Sequence, residues 1–152
     1  MTPVAVPTTT TPSIPRERPV SALVDTSALY ELLDRSAPSH ADVLAAWTSL
    51  AREGRLVTHD RVVTESSALV QRRLGMPAAR VLHRELLPPV RIVDLSQRIT
   101  DRATERWLAA DRRQLSLVDV TSFVVMEELG ITLALALDDD FAQQGFEVAP
   151  AG

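Results

Sequence analysis

The stretch Ile131-Thr132-Leu133-Ala134-Leu135-Ala136-Leu137-Asp138-Asp139-Asp140 reads as one buried strand that runs straight into acid. A short apolar run with Gly130 before it and three carboxylates after it is the signature of a strand covered on both faces by helices. The same device recurs near the other end of the chain, where Val20 to Val24 is closed by Asp25. Two more apolar runs, Leu56 to Thr58 and Val90 to Val93, lie between them, and Phe146 to Val148 follows as an edge strand. The segments in between have helical period. Thr26 or Ser27 caps a helix carrying Leu29, Leu32 and Leu33, and Ser39 with Asp42 makes a capping-box-like start for one carrying Val43, Leu44, Trp47 and Leu50. Asp60 caps a helix to Leu74 that Gly75 closes; Pro77 opens another, which Pro88 and Pro89 end. Ser96 to Arg112 is long and amphipathic, and Ser116 caps Leu117 to Leu129. Strands alternating with helices make βαβ units, so the expectation is an α/β fold with four or five mostly parallel strands and helices on both faces.

At 152 residues, 45% hydrophobic and 24% charged, the chain suits a single domain with a real core. There is no cysteine, hence no disulfide, no Cys-based zinc site and no thiol nucleophile. All sixteen basic residues are arginine. The missing lysine excludes a receiver domain and, with the scarcity of glycine, a P-loop; none of the five glycines falls in the first strand–helix turn, which excludes a dinucleotide fold. An aspartyl phosphatase would place Asp-x-Asp after the first strand, where this chain has Asp25-Thr26-Ser27. Five of the ten prolines fall within residues 1–19 beside a run of threonines, so a disordered tail is expected there and the domain over residues 20–150. With no signal-peptide pattern and no membrane-length apolar run, a cytoplasmic protein without membrane contact is expected.

Ligands gather at the carboxyl ends of strands in open α/β sheets, and acids stand there. Asp25 follows the first strand and Asp138 the fourth; Glu65 lies in the helix after the second strand, and Asp119 in the first turn of the helix entered at Ser116. Singly, each has an ordinary explanation as a cap, a turn or a solvated residue. Convergent, they need a counter-charge, because like charges a few ångströms apart do not all stay ionised. Without lysine or an evident buried arginine, that counter-charge is a metal, and oxygen-only ligands select Mg²⁺ or Mn²⁺. The matching chemistry is attack of activated water on a phosphodiester. His40, His59 and His83 follow no ligand spacing and read as surface or boundary residues.

The segments Leu23-Val24-Asp25-Thr26-Ser27-Ala28-Leu29, Val62-Val63-Thr64-Glu65-Ser66-Ser67-Ala68-Leu69, Ser116-Leu117-Val118-Asp119-Val120-Thr121-Ser122-Phe123 and Ala136-Leu137-Asp138-Asp139-Asp140-Phe141, in that order, resemble a PIN domain of the VapC toxin type. The resemblance covers the chain from Ser21 to Pro150 and implies a three-layer α/β/α fold. It implies a Mg²⁺- or Mn²⁺-dependent endoribonuclease, the toxic half of a type II toxin–antitoxin pair, with RNA as substrate, a VapB-type antitoxin as partner and a homodimeric state. It makes Asp25 and Asp119 direct metal ligands, with Glu65 and Asp138 completing an acidic quartet and Thr26, Ser122 and Asp140 in support. Two positions depart from the common pattern: Ala136 stands where threonine is usual and Asp140 where histidine often is. These departures keep open a catalytically silent RNA- or protein-binding module; a PIN nuclease of RNA processing, without an antitoxin, is the other alternative.

Any grip on RNA has to come from arginine, whose planar fork meets phosphate bidentately. Candidates are Arg72 with Arg73 and Arg112 with Arg113. Arg98, Arg102 and Arg106 also share a helix face, where a solvated stripe interleaved with Asp101 and Glu105 is an equally good reading, and Trp47 and Trp107 sit at core spacing. A net charge of −4 makes any RNA affinity local rather than general.

Overall fold

The computed structural model describes residues 2–9 and 20–151. Residues 2–9 are exposed and form no helix or strand; the remainder of the expected tail lies outside the described residues. Five strands form one sheet in the order β3-β2-β1-β4-β5: β1 (Ala22–Val24), β2 (Leu56–His59), β3 (Arg91–Val93), β4 (Leu133–Leu135) and β5 (Glu147–Ala149). Every pairing is parallel, the edge strand β5 included. The helices are α1 (Thr26–Leu33), α2 (His40–Arg52), α3 (Asp60–Leu74), α4 (Met76–Val81), α5 (Gln97–Ala110), α6 (Leu117–Leu129) and α7 (Asp140–Gln143). No helix among the described residues is long and apolar enough to cross a membrane.

Strand alternation divides the core in two. Ala22, Val24, Leu56 and Leu135 face α1 to α4, whereas Leu23, Val57, Ala134 and Ala136 face α5 to α7. Burial on both faces explains why β1, β2 and β4 read as continuous apolar runs. Phe123 and Phe141 anchor the second layer edge to face, with centroids 5.1 Å apart.

Several local expectations change. Asp25, not Thr26 or Ser27, caps α1, accepting the Ser27 N–H with its side chain. Ser39 precedes α2 without a side-chain bond, and Asp60 is the first residue of α3 rather than its cap. Val20 is exposed and outside β1. β4 is shorter than its apolar run because both ends are claimed elsewhere: the Ile131 N–H returns to Met126 at the close of α6, and the Leu137 N–H donates to the Ser27 hydroxyl at 3.1 Å. Beyond α4 the helix widens into a π turn over Leu82–Leu86 before Pro88 and Pro89 end it. Trp47 is buried, and the Trp107 indole is half-buried with its N–H on Leu115 O, so both serve packing.

Candidate active site

The chain leaves β1 to build β2 and β3 on one side, then crosses over to place β4 on the other. That reversal opens a crevice at the carboxyl ends of β1 and β4. Asp25 and Asp138 extend from those two ends, and α6 enters the same crevice with Asp119 in its first turn. Asp25, Asp119 and Asp138 each offer a carboxylate oxygen, and the three oxygens lie within 4.8 Å of one another.

Each acid is oriented by hydrogen bonds. Asp25 is 2% exposed; its Oδ2 accepts the Ser27 hydroxyl at 2.6 Å and the Ser27 N–H at 3.3 Å. Asp119 and Ser116 form a reciprocal capping box, with Asp119 N–H donating to Ser116 Oγ at 3.0 Å and Ser116 N–H to Asp119 Oδ2 at 3.4 Å. Capping and site duty are thus compatible, since the box occupies one carboxylate oxygen. Asp138 accepts the Asp140 N–H at 3.2 Å. The Ser27 hydroxyl ties two strand ends together: it donates to Asp25 and accepts the N–H of Leu137, the residue before Asp138.

The electrostatics show what the cluster lacks. Burial, reinforced by the charges of Asp119 and Asp138, raises the Asp25 carboxyl to about 7 despite the Ser27 bonds. Burial and the charges of Asp138 and Asp140 raise Asp119 to about 6, and burial with the charges of Asp140 and Asp139 raises Asp138. Asp25 Oδ1 is buried with no hydrogen-bond partner. An unpaired, desolvated oxygen among three carboxylates costs free energy that a hard divalent cation would remove, so the donor set fits one.

Glu65 is not in this group of three. It is partly buried on α3, and its neighbour Ser66 donates to Thr26 Oγ1 at 3.2 Å, which packs that turn of α3 against the residue following Asp25. The Thr26 hydroxyl is therefore engaged with α3. Ser122 is buried, and its hydroxyl meets His59 Nε2 at 2.8 Å instead of the acids. Asp139 is exposed and Asp140 partly buried.

His59 corrects the surface reading of the histidines. It ends β2, is fully buried, and has Nδ1 without a partner. Burial, helped by the Arg61 charge, lowers its pKa to about 4, so the ring is neutral. Arg61 is tied to α6 through Thr121 Oγ1 at 2.9 Å. Sequence reasoning missed this pair because His59 lies 63 residues from Ser122 and no local pattern links them. Position was the available signal: His59 ends the strand beside β1. His40 and His83 do lie partly or fully exposed.

The arginine stripe is resolved as structural. Arg102 bridges Glu127 and Glu128 at 2.8 Å each, Arg106 reaches Glu127 at 2.8 Å, and Arg98 reaches Glu128 at 3.2 Å. Its partners are acids of α6, not Asp101 and Glu105 of its own helix. Arg72, Arg73, Arg112 and Arg113 are exposed.

Known proteins match over most of the chain. The PIN domain family profile covers residues 22–147. The chain is 34% identical over 129 residues to the 23S rRNA-specific endonuclease VapC20 of two Mycobacterium tuberculosis strains, CDC 1551 / Oshkosh and ATCC 25618 / H37Rv, covering 84% of this chain and 97% of the relative. The crystal structure of M. tuberculosis VapC20, described as a sarcin-ricin loop cleaving toxin, superposes with a TM-score of 0.75 at 32% identity, covering 83% of this chain and 96% of that one. A parallel sheet with its acids at the switch point, and sequence likeness spanning the same residues, lead to one statement: the chain belongs to the PIN-domain family.

Proposed function

We propose that this chain is the toxic ribonuclease of a type II toxin–antitoxin pair, of the VapC type, and that its substrate is the sarcin–ricin hairpin of 23S rRNA on which the VapC20 relatives are named. The observation that carries the reading is the convergence of Asp25, Asp119 and Asp138 on one volume with Asp25 Oδ1 unpartnered. These three acids hold a divalent cation, Mg²⁺ or Mn²⁺ by the preference of all-oxygen donors. When bound, the cation offsets charge on the scissile phosphate and lowers the pKa of the attacking water. Ser27 and Ser116 fix the carboxylates, the free N–H groups at the start of α1 and α6 favour an anionic phosphate, and one carboxylate orients or deprotonates the water. Arg72, Arg73, Arg112 and Arg113 are candidate contacts to RNA. The functional domain is residues 20–150, and the partners are a VapB-type antitoxin and a second copy of the chain, in the cytoplasm.

The test is cleavage of the synthetic hairpin RNA by the purified protein in Mg²⁺ or Mn²⁺, with EDTA and Asp119→Asn as arms. Chelation abolishes cleavage and added metal restores it, and Asp119→Asn lowers the rate by more than ~100-fold with the fold retained. Full activity in EDTA, or in Asp119→Asn, removes the metal centre from the reaction.

A further inference from the structure

Arginine supplies all the fixed positive charge of this chain, and among the described residues some arginines are ion-paired while others are not. Arg98, Arg102 and Arg106 are spent on α6 and Arg55 on Glu53. Residues 71–92 are different: they hold five arginines against one acid, Glu85, in a chain whose acids outnumber its bases 20 to 16. Arg72, Arg73, Arg80, Arg84 and Arg91 are all exposed, and none has an ion-pair partner among the described residues. Arg73 lies over the Tyr30 ring, 5.7 Å from its centroid.

This surplus borders a groove of about 320 Å³ between α3 and α4, lined by Ser67, Gln71, Met76, Arg80, His83 and Arg84. Arg80 is in the last turn of α4 and Arg84 in the π turn that follows, and both line the same groove. Such turns recur where helices carry function. The polar wall is pre-set. The Ser67 hydroxyl donates to Val63 O at 2.6 Å, so towards His83 Nε2, 2.7 Å away, its oxygen accepts. That makes Nε2 the donor in this contact.

We propose that the α3–α4 groove, through Arg80 and Arg84, holds the sugar–phosphate backbone of the RNA away from the acidic centre. The inference rests on the ribonuclease reading above. Its physical basis is charge segregation. The crevice carries Asp25, Asp119 and Asp138, whose three charges one divalent cation offsets only in part, so affinity beyond the scissile phosphate comes from a different surface. Further along α3 from the Ser66–Thr26 contact, the chain presents unpaired guanidinium groups over a cleft with hydrogen-bonding walls. Phosphate contacts of this kind set register and orientation on the nucleic acid without reading bases.

The experiment measures binding of the labelled hairpin RNA by the full chain carrying Asp25→Asn, with and without Arg80→Gln plus Arg84→Gln, from low to moderate salt. Two lost phosphate contacts at a slope of ~0.7 each predict a salt slope shallower by about 1.4 and affinity weaker by roughly 25-fold at ~0.1 M monovalent salt. An unchanged slope and affinity overturn the groove. So does retained RNA binding alongside lost binding of a poly-glutamate probe, which would mark a surface for an acidic protein. Wild-type protein that cleaves no RNA overturns the ribonuclease reading instead, and the salt slope still decides whether the groove binds a polyanion.

Discussion

Asp25→Asn should make the metal-free protein more stable while depriving it of its cation. In the folded chain the Asp25 carboxyl titrates near 7 instead of 3.8, chiefly because it is buried. Below pH 3.8 the group is protonated folded and unfolded alike and has no effect. As pH rises from there to about 7, the unfolded chain ionises while the folded one keeps its proton, so stability falls across that window and levels off above it. At ~1.4 kcal/mol for each pH unit of that window, the full cost is about 4 kcal/mol. Asparagine never ionises, is an equally good N-cap and can accept both Ser27 donors. At pH 8 and in EDTA the variant should therefore melt roughly 10 °C higher, at ~3 °C per kcal/mol for a chain of this size, and the gain should vanish by pH 4. Adding Mg²⁺ or Mn²⁺ should narrow the gap by more than half, because wild type gains ~2.7 kcal/mol at a hundred times its Kd and the variant does not. Calorimetric melts of both proteins between pH 4 and pH 8.5, with and without metal, make the comparison. A metal-free variant that melts lower than wild type at pH 8, or a difference independent of pH, would refute the reasoning.

His59 predicts an opposite limb. Its folded pKa of about 4 lies below the ordinary 6.5, so stability is complete above pH 6.5 and is lost as pH falls towards 4, by roughly 3 kcal/mol. Urea titrations of wild type and His59→Gln at pH 7.5 and pH 4 should show wild type losing that much more than the variant; parallel losses count against a buried neutral ring. Ser27→Ala removes the bonds to Asp25 and Leu137 together and should weaken Mn²⁺ binding by ~10- to 100-fold in calorimetric titration, with an unchanged Kd counting against its orienting role.

Much of the fold was legible because a strand buried on both faces is written into the chain as an apolar run. Leu133 to Leu135 sits inside a run the sequence displays, β2 overruns its expected run, Leu56 to Thr58, by His59 alone, and Gly75 and Gly130 mark helix ends where positive φ is required, at 87° and 66°. Strand limits were less legible. Leu137 leaves the ladder because a serine 110 residues away takes its N–H, a contact no local window contains. The same holds for His59, whose burial follows from β2 lying beside β1 and α6 packing above it.

For the site, composition and order narrowed the expected chemistry: without lysine or cysteine, acids after apolar strands point, if they converge, to a carboxylate centre for a hard cation. Which carboxylates meet was decided by the tertiary structure. Asp25, Asp119 and Asp138 converge because the crossover from β1 to β4 opens the sheet between their strand ends and α6 starts there, while Glu65 rides a different helix and stays out of the group. The arginines divide in the same way. One stripe is neutralised by Glu127 and Glu128 of another helix, and the arginines of α3 and α4 are left unpaired, because ion pairing depends on distances of a few ångströms that only packing sets.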